Sequence, residues 1–130
     1  MQPFRRVWPV LLAVSAAGCG TKFPAAADPV TARGKVVLAG GQPARGLRVT
    51  FTPLDARGRE AFADTAGDGS FVLTTARARD GAVPGPYVVT FERLSPRDRT
   101  PVPKKYESVD TSVQVEVKPG QENAFDFRLR

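Results

Sequence analysis

The sequence predicts an all-β domain built as an antiparallel sandwich, and three observations predict it. Apolar and polar residues alternate with period two through most of residues 30–130. Glycine, proline and aspartate break those runs at the short spacing typical of a sandwich. The chain also combines 12 Gly and 12 Pro with a 42% hydrophobic content, which suits short strands and turns better than long helices. One face of each run is apolar and the other polar, as in sheets buried on one side.

The elements follow in order. Val30, Ala32, Gly34, Val36 and Leu38 fall on one side of a first strand, with Thr31, Arg33 and Lys35 on the other. Gly40 to Gln42 supplies a turn. Leu47, Val49 and Phe51 then alternate with Arg48, Thr50 and Thr52. Glu60 to Thr65 is a weaker run, expected at a sheet edge. The next strand places Phe71 and Leu73 inward, and the one after it Tyr87, Val89 and Phe91. Val113, Val115 and Val117 oppose Gln114, Glu116 and Lys118. Phe125, Phe127 and Leu129 oppose Asp126, Arg128 and Arg130. This makes seven strands, and no segment carries helical periodicity.

Ahead of the domain stands an export signal: Arg5 and Arg6, an apolar stretch from Val7 to Ala17, then small residues. The stretch is too short to span a bilayer and has no amphipathic face that would suit a buried helix. The residues around Arg5-Arg6 fit twin-arginine export poorly. The sole cysteine, Cys19, closes the stretch Ala16-Ala17-Gly18-Cys19, which resembles a bacterial lipobox. In such signals the thiol is joined to diacylglycerol and the chain is cut before it. A lone cysteine cannot form an internal disulfide, and a thioether removes an exposed thiol from an oxidising compartment. An ordinary signal peptide with a leftover cysteine is the alternative.

The chain therefore divides into a lipoprotein signal peptide (1–18), a lipidated tether (19–29) and a β-sandwich domain (30–130). The Ala/Pro tether is expected to be extended, the alternative being a poorly paired first strand. Several acyl chains anchor a protein firmly where one does not. Gly20 after the cysteine favours the outer membrane, since in well-studied bacteria an aspartate there retains a lipoprotein in the inner one. The expected location is the cell envelope, lipid-anchored, facing the periplasm or the cell surface.

Charge and composition narrow the function classes. The chain carries +6 and no histidine; loss of Arg5 and Arg6 leaves +4. The absence of histidine excludes Ser/His/Asp, Cys/His and His-zinc arrangements. The basic excess is dispersed instead of forming a stripe with aromatic platforms, so nucleic acid is not an expected partner. Weak attraction to acidic polysaccharide or anionic headgroups is compatible with it.

Ser95 to Thr111 is long, proline-rich and basic, and a loop of that length is either functional or loosely ordered. Two readings stand: a binding lip built from Lys104, Lys105 and Tyr106, or a plain connection with Tyr106 tucked onto the sandwich edge. Asp64 and Asp68 have the wrong spacing for a calcium loop, and Asp68-Gly69 reads as a tight hairpin turn, the alternative being a weak calcium site completed by backbone carbonyls. Glu92, Glu116 and Asp126 sit at outward positions and read as solvated surface, not as paired catalytic acids. Tyr87 reads as packing in preference to a sugar platform. Trp8 leaves with the leader, which weakens a carbohydrate-stacking case. No metal and no cofactor are expected.

The stretch from Thr31 to Pro53, through Gly34, Gly41, Pro43, Gly46, Val49 and Phe51, resembles the opening of carboxypeptidase-regulatory-like, or transthyretin-like (prealbumin-like), domains. Gly69 and Phe71, with Asp68, resemble the family's hairpin. Pro84, Gly85, Tyr87 and Val89 resemble its P-G-x-Y-x-V strand. The ending from Val102 to Gly120 is similar to small lipoproteins abundant in planctomycete bacteria. The resemblance covers residues 30–130 and implies a seven-stranded Greek-key sandwich, transthyretin-like or Ig-like, without catalysis. Transthyretin-like enzymes that open a urate-derived lactam use histidines, which this chain lacks. The function expected is a non-catalytic structural or interaction module at the envelope, partnered by the membrane through its anchor and by a polysaccharide or an envelope protein. A carbohydrate- or peptide-binding accessory domain is the first alternative, and a hydrolase the second.

Overall fold

The computed structural model describes residues 28–109 and 113–130. Cys19, the leader and most of the tether lie outside these residues. The described strands are β1 (Ala32–Leu38), β2 (Leu47–Pro53), β3 (Ala61–Asp64), β4 (Ser70–Val72), β5 (Gly85–Arg93), β6 (Gln114–Val117) and β7 (Asn123–Leu129). They form a three-stranded sheet in the order β4-β1-β7 and a four-stranded sheet in the order β3-β2-β5-β6. The molecule is all-β, as the alternation predicts.

The inward faces are the ones the pattern marks. Leu47, Val49 and Phe51 are buried on β2, Phe71 and Leu73 at β4, Tyr87, Val89 and Phe91 on β5, and Val117 and Leu129 on the last two strands. Rings join the two sheets: Phe51 of β2 meets Phe125 of β7 at 5.5 Å between centroids, and Phe91 of β5 meets Phe127 at 5.3 Å. Both contacts are edge-on, the arrangement the ring quadrupoles favour. The weak run around Ala61–Asp64 does lie at an edge, as β3.

Two expectations need correction. The sheets are not wholly antiparallel, because β1 and β7 pair in parallel over seven residues, Ala32 opposite Asn123 through Leu38 opposite Leu129. Alternation reports which face is buried and carries no direction. Since β6 and β7 belong to different sheets, the chain crosses between layers and arrives beside β1 running the same way. For the same reason Asp68-Gly69 does not close a hairpin within one sheet. β3 and β4 lie in different layers; across the turn the Ala66 amide donates to the Ser70 carbonyl at 2.8 Å, and Phe62 bridges Thr74. Gly69 still adopts a positive φ of 81° there.

Several residues hold these crossings. Asn123 is 4% exposed. Its Oδ1 accepts from the Lys118 amide at 2.9 Å and its Nδ2 donates to the Lys118 and Gln121 carbonyls, which locks the β6–β7 turn. Thr65 exchanges bonds with Leu47, its Oγ1 accepting from the Leu47 amide and its own amide donating to the Leu47 carbonyl. Gly34 sits where β1 meets β7 and the Phe71 ring, so a Cβ there would stand 2.1 Å from the Phe125 carbonyl oxygen. The Tyr87 hydroxyl donates to the Val83 carbonyl. A tyrosine bonded to backbone a few residues upstream resembles the tyrosine corner seen in β-sandwiches.

Candidate functional site

The long connection after β5 is ordered over its described part, residues 94–109, and pinned at both ends. At its start the Leu94 amide donates to the Gly46 carbonyl at 3.0 Å. Asp98 Oδ1 accepts from the Thr100 amide at 3.1 Å and from its hydroxyl at 2.8 Å. Those bonds, with the nearby guanidinium charges of Arg45 and Arg93, hold the Asp98 carboxyl below its ordinary pKa. The same Thr100 hydroxyl proton is shared with the Arg45 carbonyl, 3.1 Å from Oγ1, which ties the connection to the segment before β2.

Beyond Thr100 the sequence Pro101-Val102-Pro103 runs extended. Pro103 has φ −57° and ψ 134°, and a residue that precedes proline is itself biased to extended backbone. A single 3-10 turn, Lys104–Tyr106, follows. Tyr106 fastens the far end. Its ring meets Phe91 edge-on at 6.0 Å. Its hydroxyl accepts from the Arg130 amide at 3.2 Å and donates to the Arg130 carbonyl at 3.3 Å.

The connection is thus a strap from Arg45 to Arg130, over the pole where β1, β5 and β7 end. Beneath it lies a cleft of about 520 Å³, within the usual size of small-ligand sites. Leu38, Val102 and Leu129 supply its apolar surface, with Pro101 and Pro103 along the strap. Gln42, Arg93 and Arg130, all exposed, provide its polar groups. No aspartate or glutamate lines it.

The residues singled out from sequence fall elsewhere. Lys104 and Lys105 are exposed and do not line the cleft. Tyr106 is half-buried, with the Lys105 ammonium 5.0 Å from its ring centre; its hydroxyl bonds to Arg130 and its ring contact with Phe91 serve the fold. Tyr87 is core. Asp64 pairs with Arg48 at 2.9 Å, and Arg48 also lies over the Phe62 ring at 5.2 Å. Asp68 accepts from the Ser70 amide and hydroxyl. Glu92, Glu116 and Asp126 are exposed. Among the described residues no group of three or more Asp, Glu, His or Cys stands close enough to hold a metal ion.

Arg93 is the cleft residue that sequence reasoning missed despite a signal. It continues the inward register of Tyr87, Val89 and Phe91, so a charge stands where an apolar residue is expected. Gln42 and Arg130 carry no such mark. Comparison with protein-family models, with curated proteins and with solved structures found no match.

Proposed function

We propose that the chain is an exported lipoprotein, cut before Cys19 and anchored through acyl chains on that sulfur. Its domain, in this reading, is a Greek-key sandwich of the carboxypeptidase-regulatory-like kind that works as a non-catalytic binding module at the cell envelope. The Tyr87–Val83 bond supports the Greek-key assignment, because that corner recurs in such sandwiches.

One observation carries the functional reading: the cleft lies at the pole opposite the one where the chain enters. Pro29 to Thr31 stand beside the Gly120–Glu122 turn, whereas the cleft takes Leu38 from the far end of β1 and Leu129 from the far end of β7. Seven strand residues separate the poles by roughly 20 Å. A domain tethered at its entry pole presents the cleft away from the lipid.

Two measurements test the reading. Intact mass of the membrane-extracted protein should show a chain beginning at Cys19 with acyl mass added; an unmodified cysteine, or uncut chain in the cytosolic fraction, would reject the anchor. Affinity capture from solubilised envelopes should then recover a partner that excess purified domain displaces.

A further inference from the structure

We infer that the cleft under the strap binds the C-terminal end of a peptide whose last residue is aliphatic. The inference rests on the binding-module reading above and names its ligand.

The first argument is charge. Arg93 and Arg130 both line the cleft and no aspartate or glutamate does. Arg93 makes one long bond, from Nη1 to the Asp98 carbonyl at 3.4 Å; the Asp98 carboxylate lies near enough to feel its charge but gives its hydrogen bonds to Thr100. The Arg130 guanidinium forms no salt bridge among the described residues, where the ion pairs are Arg33–Glu122 and Arg48–Asp64. Planar guanidinium groups beside an apolar surface match a carboxylate joined to a greasy body. Leu38, Val102 and Leu129 offer that surface.

The second argument is backbone. Val102, which the following proline biases towards extended backbone, stands half-buried between two prolines, and its N–H and C=O make no hydrogen bond among the described residues. Partly buried backbone groups want partners. An extended peptide supplies them by strand addition, which a fatty acid cannot do. The third is placement, since a cleft facing away from the lipid meets chains in the aqueous phase. No aromatic ring lines it, so it lacks the platform on which a sugar would stack.

The test uses the full-length chain, amide-labelled for NMR, with acetyl-glycyl-leucine as probe. Its C-terminal amide and octanoate serve as comparators. The acid should shift the Leu38, Val102 and Leu129 amides, and the amide form should bind about tenfold or more weakly. Arg93→Gln and Arg130→Gln should each weaken the acid while leaving the dispersed β-sheet spectrum intact. Equal binding of acid and amide would overturn the assignment. So would shifts confined to other surfaces, or octanoate binding where the peptide does not. A cleft silent to all three probes, in a protein that still captures an envelope partner, would refute this ligand and leave the module reading standing.

Discussion

The Tyr87 hydroxyl donates to the carbonyl oxygen of Val83, four residues earlier, and both residues are buried. Gly85 lies between them with φ 149°. The bond ties the turn before β5 to the strand that borders both β2 and β6. Tyr87→Phe keeps the ring contact with Phe51 but leaves the Val83 carbonyl without its partner. We expect a loss of about 1–3 kcal/mol, read as a lower urea midpoint with unchanged slope. An unchanged midpoint would show that the bond contributes nothing net.

Gly34 is required for space. A Cβ would stand 2.1 Å from the Phe125 carbonyl oxygen and 2.6 Å from the Phe71 ring, so Gly34→Ala must push apart β1, β7 or the core. A destabilisation of about 1–3 kcal/mol or more is expected. Gly40→Ala is the control, because nothing lies within 4 Å of its added methyl; it should stay within about 0.5 kcal/mol of the parent. Thermal unfolding of the two variants side by side checks the contrast.

Acid should unfold the domain partly through Asp80. Partial burial pushes its pKa up, but the Thr75, Arg77 and Ala76 amides donate to the carboxylate and outweigh it, so the group titrates below its ordinary 3.8. A depressed folded-state pKa adds stability that is complete above the unfolded value and disappears as pH falls through the folded one. Asp80→Asn should therefore lower stability at neutral pH and flatten the decline between about pH 5 and pH 2. Urea midpoints across that range give the measurement; parallel curves for parent and variant would reject Asp80 as a contributor.

Tyr106 and its lysine neighbours should separate cleanly. Tyr106→Phe loses both bonds to Arg130 and keeps the Phe91 contact. We expect a stability loss of about 1 kcal/mol or less, faster amide exchange at Arg130, and weaker binding of acetyl-glycyl-leucine as the strap loosens. Lys104→Ala combined with Lys105→Ala should leave all three readouts near the parent, within about 0.5 kcal/mol for stability. Loss of peptide binding in the lysine variant alone would move the site onto the outer face of the strap.

Most of the fold was legible because burial on one face writes itself into alternation, as Leu47, Val49 and Phe51 show. What alternation omits is direction and layer, which is why the parallel partnership of β1 with β7 and the crossing at Asp68-Gly69 came only from the structure. Asn123 gave no warning either: a polar residue opening a strand looks solvated until its amide is seen holding the Lys118 and Gln121 backbone. The cleft was less legible still. Leu38, Gln42, Arg93, Val102 and Arg130 come from separate segments, and spacing along a chain says nothing of residues that meet only at a sandwich pole. The strap drew attention through its length and prolines, but its lysines, Lys104 and Lys105, lie outside the cleft it covers.

The partnership of Ala32–Leu38 with Asn123–Leu129 also sets when the domain can become complete. On a chain that emerges amino end first, β1 must wait for β7 before its layer closes, and until then Phe51 and Phe91 lack their contacts with the Phe125 and Phe127 rings. Such long-range closure is slow. A nascent chain halted before Asn123 would leave part of its aromatic interior uncovered, which makes the docking of β7 the step that decides between a finished domain and a substrate for chaperones or proteases.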